Sequence, residues 1–272
     1  MALTGAALVS AARHHEEGTG KGGPAALVHR NFTFYKRGWV FFLTGLFEPV
    51  FYLFSIGIGV GAMVTAFQFN GAEVGYTDFV APGMLATAAM NGAVIDSTFT
   101  VFFKLKFLKV YDAILATPMG PTDIARGEVS WAVMRGSVYS AGFLLIMLVM
   151  GLISSWWALL ALPAAVLLGF AFAGTGMALT TFMRSWQDFE YVQLAIIPMF
   201  LFSATFFPIE TYDGVLRWIV EATPLYRGVV LLRELCTGLV TMDSLISVVY
   251  LAVMGAVGVR VASRRLGRLL LT

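Results

Sequence analysis

"FLKVYDAILATPMGPTDIARGE", residues 107–128, interrupts a chain that is otherwise oily, and its reading decides how the rest is threaded. Wound at 100° per residue, Phe107, Leu108, Val110, Tyr111, Ile114 and Leu115 share one flank, while Lys106, Lys109, Asp112, Ala113, Ala116 and Thr117 share the other. The pattern predicts a two-faced helix of about three turns. Thr117-Pro118 ends it, because the residue before a proline is pushed out of the helical region, and the "PMGP" turn redirects the chain. Thr122 or Asp123 then stands where a side-chain oxygen can cap the next helix. The polar flank is narrow, with small residues at Ala113 and Ala116. A helix made only to rest on lipid headgroups carries more Lys and Arg, so a protein partner in the cytosol fits it equally well. Periodicity leaves both occupants open.

Outward from this stretch the chain is a membrane protein. Of its 272 residues 58% are hydrophobic and 12% charged, and the mean hydropathy is +0.81. Such a composition lies outside that of soluble domains. About 20 apolar residues cross a bilayer core, and six stretches qualify: 39–62, 79–102, 128–150, 158–182, 189–207 and 243–262. Lys and Arg number five before the first span, four in 104–127, one at Arg184 and four from Arg260 to Arg268, and there are none in 63–78 or 151–157. Arg217, Arg227 and Arg233 fall on the other side, but Glu210, Asp213, Glu221, Glu234 and Asp243 accompany them and make that segment net negative, so by the positive-inside rule both termini and the 104–127 connection are expected to be cytoplasmic. The expected class is all-α and integral to the membrane.

Several segments are not expected to span. Residues 1–23 read as a polar, Gly-rich cytoplasmic tail rather than a signal peptide, and residues 263–272 as a basic tail. Residues 24–38 form an amphipathic pattern with Leu27, Val28, Phe32, Phe34, Tyr35 and Trp39 on one face and Arg30, Lys36 and Arg37 opposite. It reads as an interfacial helix facing membrane lipids, or as the beginning of the first span. Residues 208–242 hold two short helical patterns parted by Thr223-Pro224. Both are too short to cross and too apolar for a solvated loop, so they are expected to dip into the outer leaflet and return.

Chemistry is sparse. Cys236 is alone, and the histidines at 14, 15 and 29 lack the spacing of a metal site. "GTGKGG" at 18–23 lacks the spacing and the Ser or Thr of a phosphate-binding loop. Glu48, Asp96 and Arg135 fall inside spans, where charge is costly. They read either as a polar gate, with Arg135 paired to an acid, or as satisfied helix-packing groups. Gly57, Gly59 and Gly61 allow close backbone approach, to a second copy or to the chain's own helices. Phe200, Phe202, Phe206 and Phe207 are candidates to line a slot for an amphiphile.

These residues resemble the type-2 ABC exporter permeases, in the branch of nodulation-factor, drug and polysaccharide exporters. The likeness rests on "FEPVFYLFSIGIGVG" (47–61), "FVAPGMLATAAM" (79–90), "VYDAILATPMGPTDIARGEVSWA" (110–132), "IIPMFLFSATFFPIE" (196–210) and "TPLYRGVVLLREL" (223–235). Two departures stand out: Asp96 replaces a usual Glu, and Arg227 replaces a usual His. The resemblance implies that 104–118 is a coupling helix seated on a separate ATPase, with Lys106, Lys109, Asp112, Ala113, Ala116 and Thr117 facing it. It further implies two ATPase copies that bind ATP and Mg, a second permease, identical or paralogous, and a bacterial inner (plasma) membrane location, with no nucleic acid and no catalysis in this chain. An ATP-independent transporter or channel is the alternative; it calls for inverted repeats or a broken helix with a midplane ion site, and the sequence has no internal repeat and too few midplane acids. An intramembrane enzyme lacks its nucleophile and base.

Overall fold

A computed structural model describes residues 23–36, 47–64, 66–69 and 71–270. The expected tail up to residue 22, the first turns of the first span, Trp39 and Arg37 lie outside the described residues. Helix α1 is Gly23–Lys36 and α2 is Phe47–Gly61. A hairpin of β1 (Ala66–Phe69) and β2 (Ala72–Gly75) leads into α3 (Tyr76–Lys106). A short α4 (Val110–Leu115) precedes α5 (Pro121–Val149), α6 (Trp156–Thr180) and α7 (Asp188–Leu201). Then come α8 (Gly214–Ala222), α9 (Pro224–Thr237) and α10 (Met242–Leu270).

Four of these, α3, α5, α6 and α10, are long and apolar enough to cross a bilayer. The other two expected spans are shorter as described. α7 has 14 residues and stops at Leu201 rather than 207, roughly 21 Å of helix against a hydrocarbon core of ~30 Å. Pro198 weakens its last turn, and Ala204 then takes a left-handed φ of 54°. α10 runs on to Leu270, so residues 263–270 continue a helix instead of forming a separate tail. Their Arg side chains can reach the polar interface from a helical backbone, and nothing in the segment breaks one.

α3 sits at the centre, with 83% of its apolar window buried. A π-turn at Asp96–Thr100 inserts an extra residue there, and the hydroxyls of Ser97 and Thr98 bond back to the Val94 carbonyl. α6 and α10 cross where glycines replace side chains: a Cβ on Gly174 would lie 2.6 Å from the Gly255 carbonyl oxygen, and one on Gly258 would strike the Gly174 backbone. Small residues are what let two backbones meet in lipid. Of the glycines in α2, Gly57 and Gly61 face the chain's own Thr77, which donates to the Gly57 carbonyl at 2.9 Å, whereas Gly59 faces open space.

The hairpin is an addition to the all-helical expectation. Its register pairs Phe69 with Ala72 around Gly71, which has φ 79°, and the Asn-Gly dipeptide at 70–71 is the turn signal it follows. The molecule therefore has two distinct ends. α1, α4, the close of α6 and the last turns of α10 share the basic end, where Arg265 stacks on Phe182. The hairpin, α8 and α9 share the far end, where Ser154 donates to the Cys236 carbonyl.

Candidate coupling site and its buried ion pairs

The two-faced helix forms, but it is shorter than its periodicity predicts. α3 ends at Lys106, the chain turns through Phe107–Lys109, and Lys109 adopts a left-handed φ of 47° before α4 begins. That turn swings Phe107 and Leu108 off the axis, leaving them 62% and 66% exposed instead of on the bundle flank. Tyr111 is fully buried, and Ile114 and Leu115 pack partly against the core. Lys106, Lys109, Asp112, Ala113, Ala116 and Thr117 are all exposed. Thr117 donates to the Ile114 carbonyl at 2.6 Å and so closes the helix C-terminus. Asp123 supplies the expected cap of α5, its carboxylate accepting the Gly120 amide at 3.1 Å.

Beneath α4 lies a buried acid that the periodicity analysis did not single out. Glu128, in the second turn of α5, accepts from Lys104 Nζ at 2.7 Å, Asn31 Nδ2 at 3.1 Å and Arg30 Nη2 at 3.4 Å. Lys104 also donates to Asn31 Oδ1 at 3.1 Å. The cluster joins α1, α3 and α5, and Tyr111 brings α4 to it. Burial first, and then the Glu128 charge, hold the Tyr111 phenol well above its usual pKa. Its hydroxyl has no hydrogen-bond partner of good geometry. Arg30, expected to face lipid headgroups, is thus engaged with Glu128, while Lys36 is exposed. α1 buries Gly23, Leu27 and Asn31, spaced four apart, and Leu27 fills the space above Gly127. Phe32 and Phe34 point away, 54% and 78% exposed.

Asp96 and Arg135 meet as a pair of opposite charges inside the bundle, Arg135 Nη1 lying 2.6 Å from Asp96 Oδ1. Arg135 also donates to Tyr139 at 2.9 Å and to Tyr35 at 3.4 Å, and Thr100 donates to the same carboxylate oxygen. The π-turn of α3 presents Asp96 toward α5. Glu48 is elsewhere. It is exposed and lines a cavity of about 550 Å³ between α2, α3 and α7, with Thr87, Asn91, Gln193 and Phe200. The four candidate aromatics do not line one slot. Phe200 faces that cavity and meets Phe206 at 5.3 Å, Phe202 turns to Tyr212, and Phe207 is 52% exposed. A different aromatic group, Phe99, Phe103, Trp186 and Phe189, joins α3 to the entry of α7 at the basic end, with ring centroids 5.0–5.4 Å apart.

At the far end Arg233 is buried and, among the described residues, makes no ion pair. Nε donates to the Phe79 carbonyl at 2.9 Å, and Nη2 to those of Ala204 and Thr205 at 2.8 and 3.3 Å. The guanidinium lies 3.6 Å from the Phe79 ring centroid. Burial draws its pKa down to about 9, so it is charged at neutral pH. Three carbonyl dipoles and an aromatic face replace the counter-ion. Arg233 thereby fastens α9 to the start of α3 and the segment after α7.

Residues 25–236 match the family model described as ABC-2 type transporter. Among known proteins, nodulation protein J of Rhizobium leguminosarum bv. viciae is 33% identical over 78% of this chain and 82% of its own length. Its counterpart in bv. trifolii is 33% identical over 80% of this chain and 82% of its own. The one from Rhizobium meliloti is 31% identical over 78% and 80%. With the match covering α4, the buried pairs and the far-end helices together, the chain belongs to the ABC-2 type transporter family.

Proposed function

We propose that this chain is the membrane subunit of an ATP-driven exporter, coupled to a separate ATPase through residues 104–118. The observation that carries the reading is the split of α4: Tyr111 is held in the bundle beside Glu128, while Lys109, Asp112, Ala113, Ala116 and Thr117 stand free at the basic end. A rod gripped on one flank and bare on the other transmits a push from a docked partner into α1, α3 and α5. ATP and Mg bind the partner, present in two copies, and a second permease completes the path.

In this arrangement six segments cross the inner membrane with both termini in the cytoplasm, α2 and α7 being the two shorter crossings. α1 lies in the cytoplasmic interface, with Phe32 and Phe34 toward lipid. α8 and α9 re-enter the outer leaflet. The exposed Val215, Trp218 and Ile219 on α8 support that placement, since they form an apolar face. The cargo is an amphiphile, a lipid-linked saccharide, glycolipid or hydrophobic drug. Apolar walls with a few polar groups, Glu48, Thr87, Asn91 and Gln193, suit such a molecule.

The test is co-purification with the candidate ATPase and transport-linked hydrolysis in liposomes. Replacing Ala113 by Trp should abolish association while the isolated chain keeps its melting temperature. Association that survives this change, or cargo movement without any ATPase, would end the proposal.

A further inference from the structure

A cavity of about 760 Å³ lies between α3, α6, α7 and α10, sharing Val94, Thr98, Val192 and Ile196 with the cavity on the α2 side of α7 but apart from α4 and the ion pairs beneath it. Its size is that of a small-molecule site, ~300–1,000 Å³. Phe172, Leu179, Val192, Ile196, Met199 and Met254 make its walls. Leu179 and Tyr191 line it while remaining 49% and 72% exposed, so it opens sideways between helices. Along α7 it extends from Asp188 to Met199. That is roughly 16 Å of helix, about half of a ~30 Å hydrocarbon core, and so about one leaflet deep.

Only the mouth at the basic end carries ionic groups. Arg184, Ser185 and Asp188 line it. The Asp188 carboxylate is occupied, accepting from the Arg184 amide at 2.6 Å and from the Ser185 amide and hydroxyl at 3.1 and 3.3 Å. Among the described residues the Arg184 guanidinium makes no ion pair. A second cation stands behind the wall rather than in it: Arg265 lies 3.6 Å over the ring of Phe182, a wall residue, its Nη2 donating to the Thr181 carbonyl at 3.5 Å and its buried Nε without a partner among the described residues.

We infer that this slot holds an anionic phospholipid of the surrounding leaflet, an acyl chain along α7 and the phosphate at the mouth beside Arg184 and Arg265. A neutral lipid matches the walls and leaves the Arg184 and Arg265 guanidiniums unmatched. A soluble anion does the reverse. An anionic lipid matches both, as basic pockets between transmembrane helices do.

The full chain, purified in detergent without an ATPase, is titrated with phosphatidylglycerol and with phosphatidylcholine of identical acyl chains, and bound lipid is counted by native mass spectrometry. The outcome is then independent of the coupling proposal. Phosphatidylglycerol should be retained in preference, and Arg184→Gln should weaken it about fivefold. Ala195→Trp, which fills the slot from α7, should remove both lipids, and glycerol 3-phosphate alone should not bind. Equal retention of the two lipids, retention indifferent to both substitutions, or displacement of phosphatidylglycerol by an uncharged glycolipid overturns the inference. Arg184 is exposed and off the core, so its variant remains informative if Ala195→Trp fails to fold.

Discussion

Lys104 and Glu128 meet at 2.7 Å with side chains 12% and 2% exposed, the one at the end of α3 and the other near the start of α5, on either side of α4. Their contact ties the two roots of the α4 loop. Glu128→Gln should leave Lys104 and Arg30 facing each other without an acid. Removing one member of a buried pair costs about 3–5 kcal/mol, which in a chain of this size should lower the melting temperature by roughly 6–15 °C. Thermal unfolding in detergent checks this, and an unchanged melting temperature would show the cluster to be ornamental. If the proposed coupling through α4 holds, ATP hydrolysis by the assembled complex should also lose its response to cargo in the same variant.

Asp96 and Arg135 allow a cleaner measurement, since both partners can be removed. Each single change, Asp96→Asn or Arg135→Gln, leaves a charge or an unpaired donor in a low-dielectric site. The double variant leaves no charge, and its two amides can pair with each other. A double-mutant cycle should therefore give an interaction of about 1–3 kcal/mol, with the double variant more stable than the sum of the singles implies. Strict additivity would mean that the two groups act through Tyr35 and Tyr139 rather than on each other.

How far the molecule was legible depended on distance along the chain. The long apolar runs of α3, α5, α6 and α10 announce themselves, and so does the burial of Tyr111 opposite exposed Asp112 and Ala113, because both follow local periodicity. Glu128 was passed over because Arg30 and Asn31 lie 98 and 97 residues away, and no local pattern encodes such a meeting. Arg233 reads in the sequence only as one basic residue among the acids of 208–243, since neutralisation by carbonyls leaves no trace in residue types. The break at Lys109 is likewise hidden, for lysine gives no sign of a left-handed φ, whereas the Asn-Gly at 70–71 was a readable hairpin signal.

Arg233 itself can be tested by shape as well as charge. Arg233→Lys keeps a cation but loses the planar fork that serves the Phe79, Ala204 and Thr205 carbonyls together. Arg233→Met keeps the volume and leaves all three without that donor, at about 1–3 kcal/mol for each carbonyl left unsatisfied. Methionine should be the worse of the two, and hydrogen exchange should rise at the start of α3 and around residues 203–207 in both. Protection that rises or stays level there would remove Arg233 from its role as the far-end fastener.

Lys109 separates backbone from charge at the proposed coupling site. A non-glycine residue in the left-handed region costs roughly 1–2 kcal/mol, less for asparagine, more for a β-branched residue. Lys109→Asn therefore keeps the turn that aims α4 and deletes the cation, whereas Lys109→Val deletes the cation and opposes the turn. If the exposed flank of α4 is the ATPase contact, Asn should weaken association by about tenfold, as for one charge-assisted hydrogen bond, with the melting temperature unmoved. Valine should weaken association further and also lower the melting temperature. Association unaffected by Asn but lost with Val would assign the turn, and not the ammonium, as what the partner reads.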